Sequence, residues 1–185
     1  MKDIIAFIGR AGSGKDYQCS LLEKKGYKRL AFADTLREIA SQIARIDYNN
    51  LINNYTEFKE NDIFPNYTGR QLLENIGSAI RKVDKHFWAN GLTQKIIQSK
   101  EDLICISDMR YLNEYMIIKD LCENFNYNLT VYFCDYHSNR YQKYNNHESA
   151  HLSNYFAENG YKDLSILTME DFLKYKKFVD KQKEE

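Results

Sequence analysis

Gly9-Arg-Ala-Gly-Ser-Gly-Lys-Asp16 is the stretch with the clearest chemistry. It follows an apolar run, Ile4–Ile8, and precedes a helical pattern. Strand, glycine-rich turn, lysine and helix form the layout of a phosphate-binding loop. Glycines let the backbone curl so that its N–H groups point at phosphate oxygens. Lys15 supplies a mobile cation for the outer phosphates, and the helix start turns its positive dipole end toward the same anion. The loop predicts that Gly9, Arg10, Ala11, Gly12, Ser13, Gly14, Lys15, Asp16 and Tyr17 line a nucleotide triphosphate site. The residue after the lysine is usually Ser or Thr, a magnesium ligand. Here it is Asp16, whose carboxylate is also a hard oxygen ligand suited to magnesium.

Further along, Asp108-Met-Arg110 closes an apolar run, Leu103–Ser107. A carboxylate there can hold magnesium through water or orient an acceptor, and Arg110 can neutralise phosphate charge. Arg70 and Arg81 are candidate clamps for a second phosphate. On one straight helix their eleven-residue separation spans about 16 Å, so Gly77 is expected to break the helix and let Arg81 approach separately. Trp88, the only tryptophan, is a candidate wall for a flat base. His147-Glu-Ser-Ala-His151 matches the zinc-protease pattern H-E-x-x-H. It follows a polar stretch, lacks a clear third ligand, and reads as part of a lid rather than a zinc site.

These residues need a frame. At 185 residues the chain is read as one domain with a real core. Its 26 basic and 26 acidic residues balance, which argues against nucleic acid or a membrane surface as partner. Cys19, Cys105, Cys122 and Cys134 are widely spaced and read as reduced core residues. The chain shows no signal peptide or bilayer-spanning run and is expected to be cytoplasmic, in the host cytoplasm if its source is viral. A homodimer is compatible with the sequence.

Five strands are predicted, over 4–8, 27–33, 103–107, 128–134 and 164–167, alternating with helices over 17–25, 34–45, 70–80, 87–98 and 112–125. The last of these helices shows a stripe of Leu112, Tyr115, Met116, Lys119 and Cys122. Thr168-Met-Glu-Asp171 resembles a capping box that opens a final helix. Alternation of this kind implies an α/β fold with a five-stranded parallel sheet covered by helices on both faces. Residues 46–68 read as a variable insertion on the acceptor side and 135–155 as a lid. Gly9, Asp34, Asp108 and Asp135 each follow a predicted strand, so they should converge on one crevice at the carboxyl edge of the sheet.

Several spaced motifs together resemble the phage-type deoxynucleoside monophosphate kinases: Gly9–Asp16, Ala33-Asp34, Gly69–Gly77, Phe87-Trp88 and Ser107-Asp-Met-Arg110 with Glu114. The resemblance covers roughly residues 4–170. It implies a P-loop kinase fold and transfer of the γ-phosphoryl group of ATP to a deoxynucleoside monophosphate with magnesium. Small-molecule nucleotides would be the partners. It also implies that Asp16 lies near magnesium and that Arg70, Gly77, Trp88, Asp108, Arg110 and Glu114 line the acceptor site; Asp34 and Arg81 are read as acceptor-side residues from their own positions, and Arg140 is expected to act from the lid. The family's lid segment offers a non-zinc account of 147–151, although Ala150 replaces the usual Glu. Tyr17 replaces a frequent Thr, and the turn expected after the last strand is missing from Leu167–Glu170. Related kinases of phosphomevalonate or dephospho-coenzyme A, and a nucleotide-binding regulatory module without transfer activity, are the alternatives.

Overall fold

A computed structural model describes residues 1–9, 13–134, 152 and 165–167. Five strands form one parallel sheet: β1 (Asp3–Ile8), β2 (Lys28–Leu30), β5 (Leu103–Ile106), β6 (Asn128–Cys134) and β7 (Ser165–Leu167), in the spatial order β2-β5-β1-β6-β7. The central strand β1 pairs Asp3–Ala6 with Leu103–Ile106 on one side and Asp3–Ile8 with Asn128–Phe133 on the other. The α/β reading, with five parallel strands and helices on both faces, therefore holds.

β1 is apolar on both faces because both are covered. Ile4, Ala6 and Ile8 join Ile104 and Ile106 in a core closed by α6 (Phe87–Gln98) and α7 (Leu112–Phe125), through Ala89, Leu92, Ile96, Tyr115 and Ile118. Phe7 turns the other way, into a smaller core with Cys19 of α1 (Lys15–Glu23), Cys105 and Cys134. Each fully buried isoleucine contributes roughly 1.5–3 kcal/mol. All four cysteines are free and buried. Burial pushes the Cys134 thiol up to about 12 and the Cys122 thiol up to about 11.

Helix boundaries moved at the carboxyl edge. α1 begins at Lys15, two residues before the predicted start, because Gly14 adopts a left-handed φ of 86° that launches the helix. α2 (Ala33–Ala44) begins one residue early, with Phe32 as its N-cap. Asp34 lies inside the first turn and bends back to accept from the Ala31 N–H.

The break predicted at Gly77 does not occur. α5 runs unbroken from Gly69 to Val83 behind a capping box of Thr68 and Gln71. Gly77 makes room for a side chain instead: a Cβ there would lie 3.3 Å from Nη1 of Arg81. The predicted α7 stripe is also displaced. Met116 is exposed, and the buried face is Glu114, Tyr115, Ile118, Leu121 and Cys122.

Residues 46–68 fold into α3 (Tyr48–Asn53), α4 (Tyr55–Glu60) and a small antiparallel hairpin of β3 (Asp62–Phe64) and β4 (Tyr67–Thr68). The segment has its own core, in which Leu51 and Phe58 pack with Ala40 of α2 and Leu72 and Leu73 of α5. No helix among the described residues is long and apolar enough to cross a membrane.

Gly69 is the tightest point of that second core. A Cβ there would collide with the carbonyl oxygen of Phe58 and lie 2.8 Å from its ring. Gly91 in α6 has nothing within 4 Å of an added Cβ. We expect Gly69→Ala to lower unfolding free energy by about 1–3 kcal/mol and Gly91→Ala to raise it by about 1 kcal/mol, measured by urea denaturation. Equal effects from the two changes would contradict this packing.

Candidate nucleotide and acceptor site

The phosphate loop starts where β1 meets the end of β6. Gly9 has a φ of 140°, and a Cβ on it would lie 2.5 Å from the Cys134 carbonyl oxygen. Only glycine fits both that backbone and that contact. Lys15 is 6% exposed, and its ammonium donates to the Gly9 carbonyl at 2.7 Å and to Ser13 Oγ at 3.4 Å. Burial, with help from the nearby charge of Arg110, lowers Lys15 to about 8. Arg10, Ala11 and Gly12 lie outside the described residues, while Tyr17 is half-buried on α1.

Asp16 points out to solvent in the first turn of α1. Its Oδ1 accepts from Nη2 of Arg29 at 3.0 Å, and the same guanidinium donates to Ser107 Oγ from Nε at 3.2 Å and from Nη2 at 3.0 Å. Arg29, at the middle of β2, was not anticipated, because its link to the far end of β5 is made only by the fold.

Asp108 is buried and accepts from two backbone amides, Phe32 N–H at 2.9 Å and Ala33 N–H at 3.0 Å. It thus fastens the end of β5 to the start of α2, where each charge-assisted bond is worth roughly 1.5–3 kcal/mol. Asp34 pairs with Arg37 at 2.7 Å. Gly9, Asp34 and Asp108 do gather at the carboxyl edge, but Asp135, Arg140, 147–151 and all of the predicted lid except Leu152 lie outside the described residues.

Magnesium needs hard oxygens and commonly takes one or two carboxylates, with phosphates and water completing its shell. The exposed Asp16 carboxylate fits that donor set. Asp108, with both oxygens engaged by amides, fits only through its remaining lone pairs, as a partner of bound water. Among the described residues, no group of three or more His, Cys, Asp or Glu side chains gathers as a metal site.

Arg70 pairs with Glu60 of α4. Arg81, on the same straight helix, reaches elsewhere: its guanidinium lies 4.2 Å from the Tyr111 ring centroid and 3.9 Å from Glu114 Oε1. The two arginines therefore serve different places. Arg110 is exposed and makes no ion pair among the described residues. Trp88 is core, 4% exposed, with Nε1 donating to the Gly77 carbonyl at 3.4 Å and an edge-on contact to Phe87. Its rim lines a cavity of about 240 Å³ with Thr35, Asp84, Phe87, Asn90, Gly91 and Gln94. Glu114 is 3% exposed and accepts from the backbone N–H groups of Arg110 and Tyr111 at 2.9 and 3.1 Å. It holds the loop that carries Arg110. Leu152 closes the loop from the other side, its N–H donating to the Arg110 carbonyl at 3.2 Å.

No protein-family model matches the chain, and no curated protein matches it. Among solved structures, one similar chain is an APS kinase of Mycobacterium tuberculosis, at 14% identity and a TM-score of 0.38, covering 76% of this chain and 78% of that one. Another is a Thermus thermophilus protein, at 17% identity and a TM-score of 0.49, covering 98% and 97%. Nothing about activity follows from likenesses of this size.

Glu114 gives the site a pH signature. Burial raises its carboxyl to about 7, against the opposing pull of the Arg110 N–H. The folded state then binds more protons than the unfolded state between about pH 4.5 and 7. The stabilisation contributed by protonated Glu114 is full below pH 4.5 and is lost as pH rises through 7. Wild type should lose up to about 3 kcal/mol over this window relative to Glu114→Gln, read from paired denaturation curves. A gap constant with pH would contradict it.

Proposed function

We propose that this protein is a magnesium-dependent P-loop kinase that moves the γ-phosphoryl group of ATP to the phosphate of a deoxynucleoside monophosphate. The observation that carries the reading is the buried Lys15 ammonium, held by the Gly9 carbonyl and the Ser13 hydroxyl at the carboxyl end of β1. A parallel α/β sheet binds ligands at that edge, and a buried cation there suits an anion of high charge.

On this reading Gly9 to Tyr17 hold ATP, with Lys15 on its outer phosphates. Asp16 would hold magnesium, with Asp108 touching its water. The metal, when bound, would neutralise charge developing on the phosphate oxygens. Arg110 and Arg70 orient the acceptor phosphate, Glu114 fixes the Arg110 loop, and Arg140 would enter with the lid. Catalysis is positioning plus charge neutralisation, with little covalent work for the protein. Phosphoryl transfer forms one O–P bond from the acceptor phosphate oxygen and breaks the bond to the β-phosphate oxygen, leaving ADP. Arg81 would reach the acceptor only after leaving Tyr111, and Asp34 acts through Arg37. Trp88 and Gly77 shape the wall behind α5 rather than offering a stacking face.

A coupled ADP-release assay with ATP, magnesium and a panel of monophosphates tests this. We expect turnover with at least one deoxynucleoside monophosphate. Lys15→Ala should lower kcat by at least about a hundredfold. Arg110→Ala should raise the acceptor KM about 10- to 100-fold, the effect of one charge-assisted contact, with a smaller change for ATP. Turnover with phosphomevalonate or dephospho-coenzyme A alone would replace the acceptor. Full activity in folded Lys15→Ala would remove the kinase reading.

A further inference from the structure

Asp16 sets this loop a problem that a hydroxyl would not. The lysine of a phosphate loop is usually followed by Ser or Thr, which carries no charge. Here a carboxylate follows, in the first turn of α1 directly after Lys15. Burial lowers Lys15, and the Asp16 charge is among the fields that oppose it. Phosphates that meet Lys15 therefore also meet the field of Asp16, which repels them.

The fold brings a cation to that carboxylate. Arg29 of β2 donates from Nη2 to Asp16 Oδ1 at 3.0 Å. Strand pairing sets Arg29 opposite Cys105, and its side chain reaches on to Ser107 at the end of β5. There Nε and Nη2 donate to Ser107 Oγ at 3.2 and 3.0 Å. Neither Asp16 nor Arg29 makes another ion pair among the described residues.

A surface ion pair usually contributes little, because two long side chains must be ordered to form it. This pair differs. Ser107 is 1% exposed and fastens the guanidinium on its own, through two of its donors. The planar fork of an arginine can hold such an anchor and still present Nη2 to a carboxylate. Arg29 is thus fixed at the carboxyl edge, and Asp16 docks on it.

We propose that Arg29 is a positioning residue that acts through Asp16: it cancels the charge of the loop carboxylate and holds it toward the end of β5, so that a polyphosphate can bind beside it. The inference rests on the reading of Gly9 to Tyr17 as a nucleotide triphosphate site and adds a residue outside every motif. It accounts for an aspartate at a place where a hydroxyl is usual, since Asp16 and Arg29 together are as neutral as Ser or Thr.

The experiment measures binding of a non-hydrolysable ATP analogue by calorimetry at low salt, once in EDTA and once with excess magnesium. It compares wild type, Arg29→Gln, Arg29→Lys, Asp16→Asn, the double variant Asp16→Asn with Arg29→Gln, and Lys28→Met, which removes a charge from an exposed neighbour on β2. Thermal melts confirm folding. In EDTA we expect Arg29→Gln to weaken binding about tenfold. Arg29→Lys should recover most of that loss, and Lys28→Met should stay within about twofold of wild type. The double variant should return to within about twofold of wild type, because no carboxylate is left to neutralise. Magnesium and added salt should each shrink the Arg29→Gln loss. A folded Arg29→Gln that binds as wild type does, or a double variant as weak as Arg29→Gln, overturns the inference and leaves the kinase reading standing. If Arg29→Gln does not fold, Asp16→Asn decides: tighter binding in EDTA supports the inference, and unchanged or weaker binding overturns it. A wild type that binds the analogue yet phosphorylates no acceptor ends the kinase reading and leaves Arg29 to these same comparisons. A wild type that binds no nucleotide ends both.

Discussion

A lysine ammonium held away from water at the carboxyl edge of a parallel sheet is the constraint on which the rest of this structure depends. Desolvation works against the charge on Lys15, and the Gly9 carbonyl and Ser13 hydroxyl offset only part of that cost. The backbone around it is shaped accordingly. Gly9 and Gly14 adopt positive φ values of 140° and 86°, and Gly9 is pressed so closely to Cys134 that no side chain fits. The order β2-β5-β1-β6-β7 puts β1 at the centre, so the loop leaving it opens between the ends of β5 and β6.

Around that cation the fold sorts charge by place. Asp108 is spent on the joint between β5 and α2, and Glu114 on the loop that carries Arg110. Asp16 remains solvent-facing beside Arg29, the one carboxylate of the loop open to a metal. Toward α4 and α5, Glu60 pairs with Arg70, and Arg37 and Lys59 both meet the Tyr55 ring. A reaction run by charge neutralisation needs such a division, because donor and acceptor are both anions that repel each other unless separate cations meet them. The kinase proposal rests on the buried Lys15 and on the exposed Arg110 as a separate cation.

Much of this was legible in the sequence where patterns are local. α6 spans 87–98, α7 spans 112–125 and β6 spans 128–134, as their periodicity predicts. The phosphate loop was readable because its glycines answer a backbone demand within a few residues. Other features were hidden for physical reasons. Gly77 looks like a helix breaker in isolation, yet α5 needs its missing side chain for Arg81. The α7 stripe was misplaced because a carboxylate, Glu114, occupies a buried position where a pattern seeks an apolar residue. Residues 46–68 looked polar because Leu51 and Phe58 are few among asparagines, although both reach a core shared with α2 and α5. Arg29, Arg37 and Lys59 escaped notice because Ser107 and Tyr55, the groups they meet, are distant in sequence or belong to that insertion.

The central claim is that Lys15 waits, desolvated, for a polyphosphate. Its protonation can be followed directly by NMR of the side-chain carbon next to the ammonium in lysine-labelled protein, with Lys15→Met giving the assignment. The ligand-free midpoint should lie near the lowered value of about 8. With magnesium and a non-hydrolysable ATP analogue it should rise by about two units or more, as the nearby phosphate charge favours the protonated form. A ligand-free midpoint at the ordinary lysine value, or one that the analogue leaves unmoved, would contradict the account.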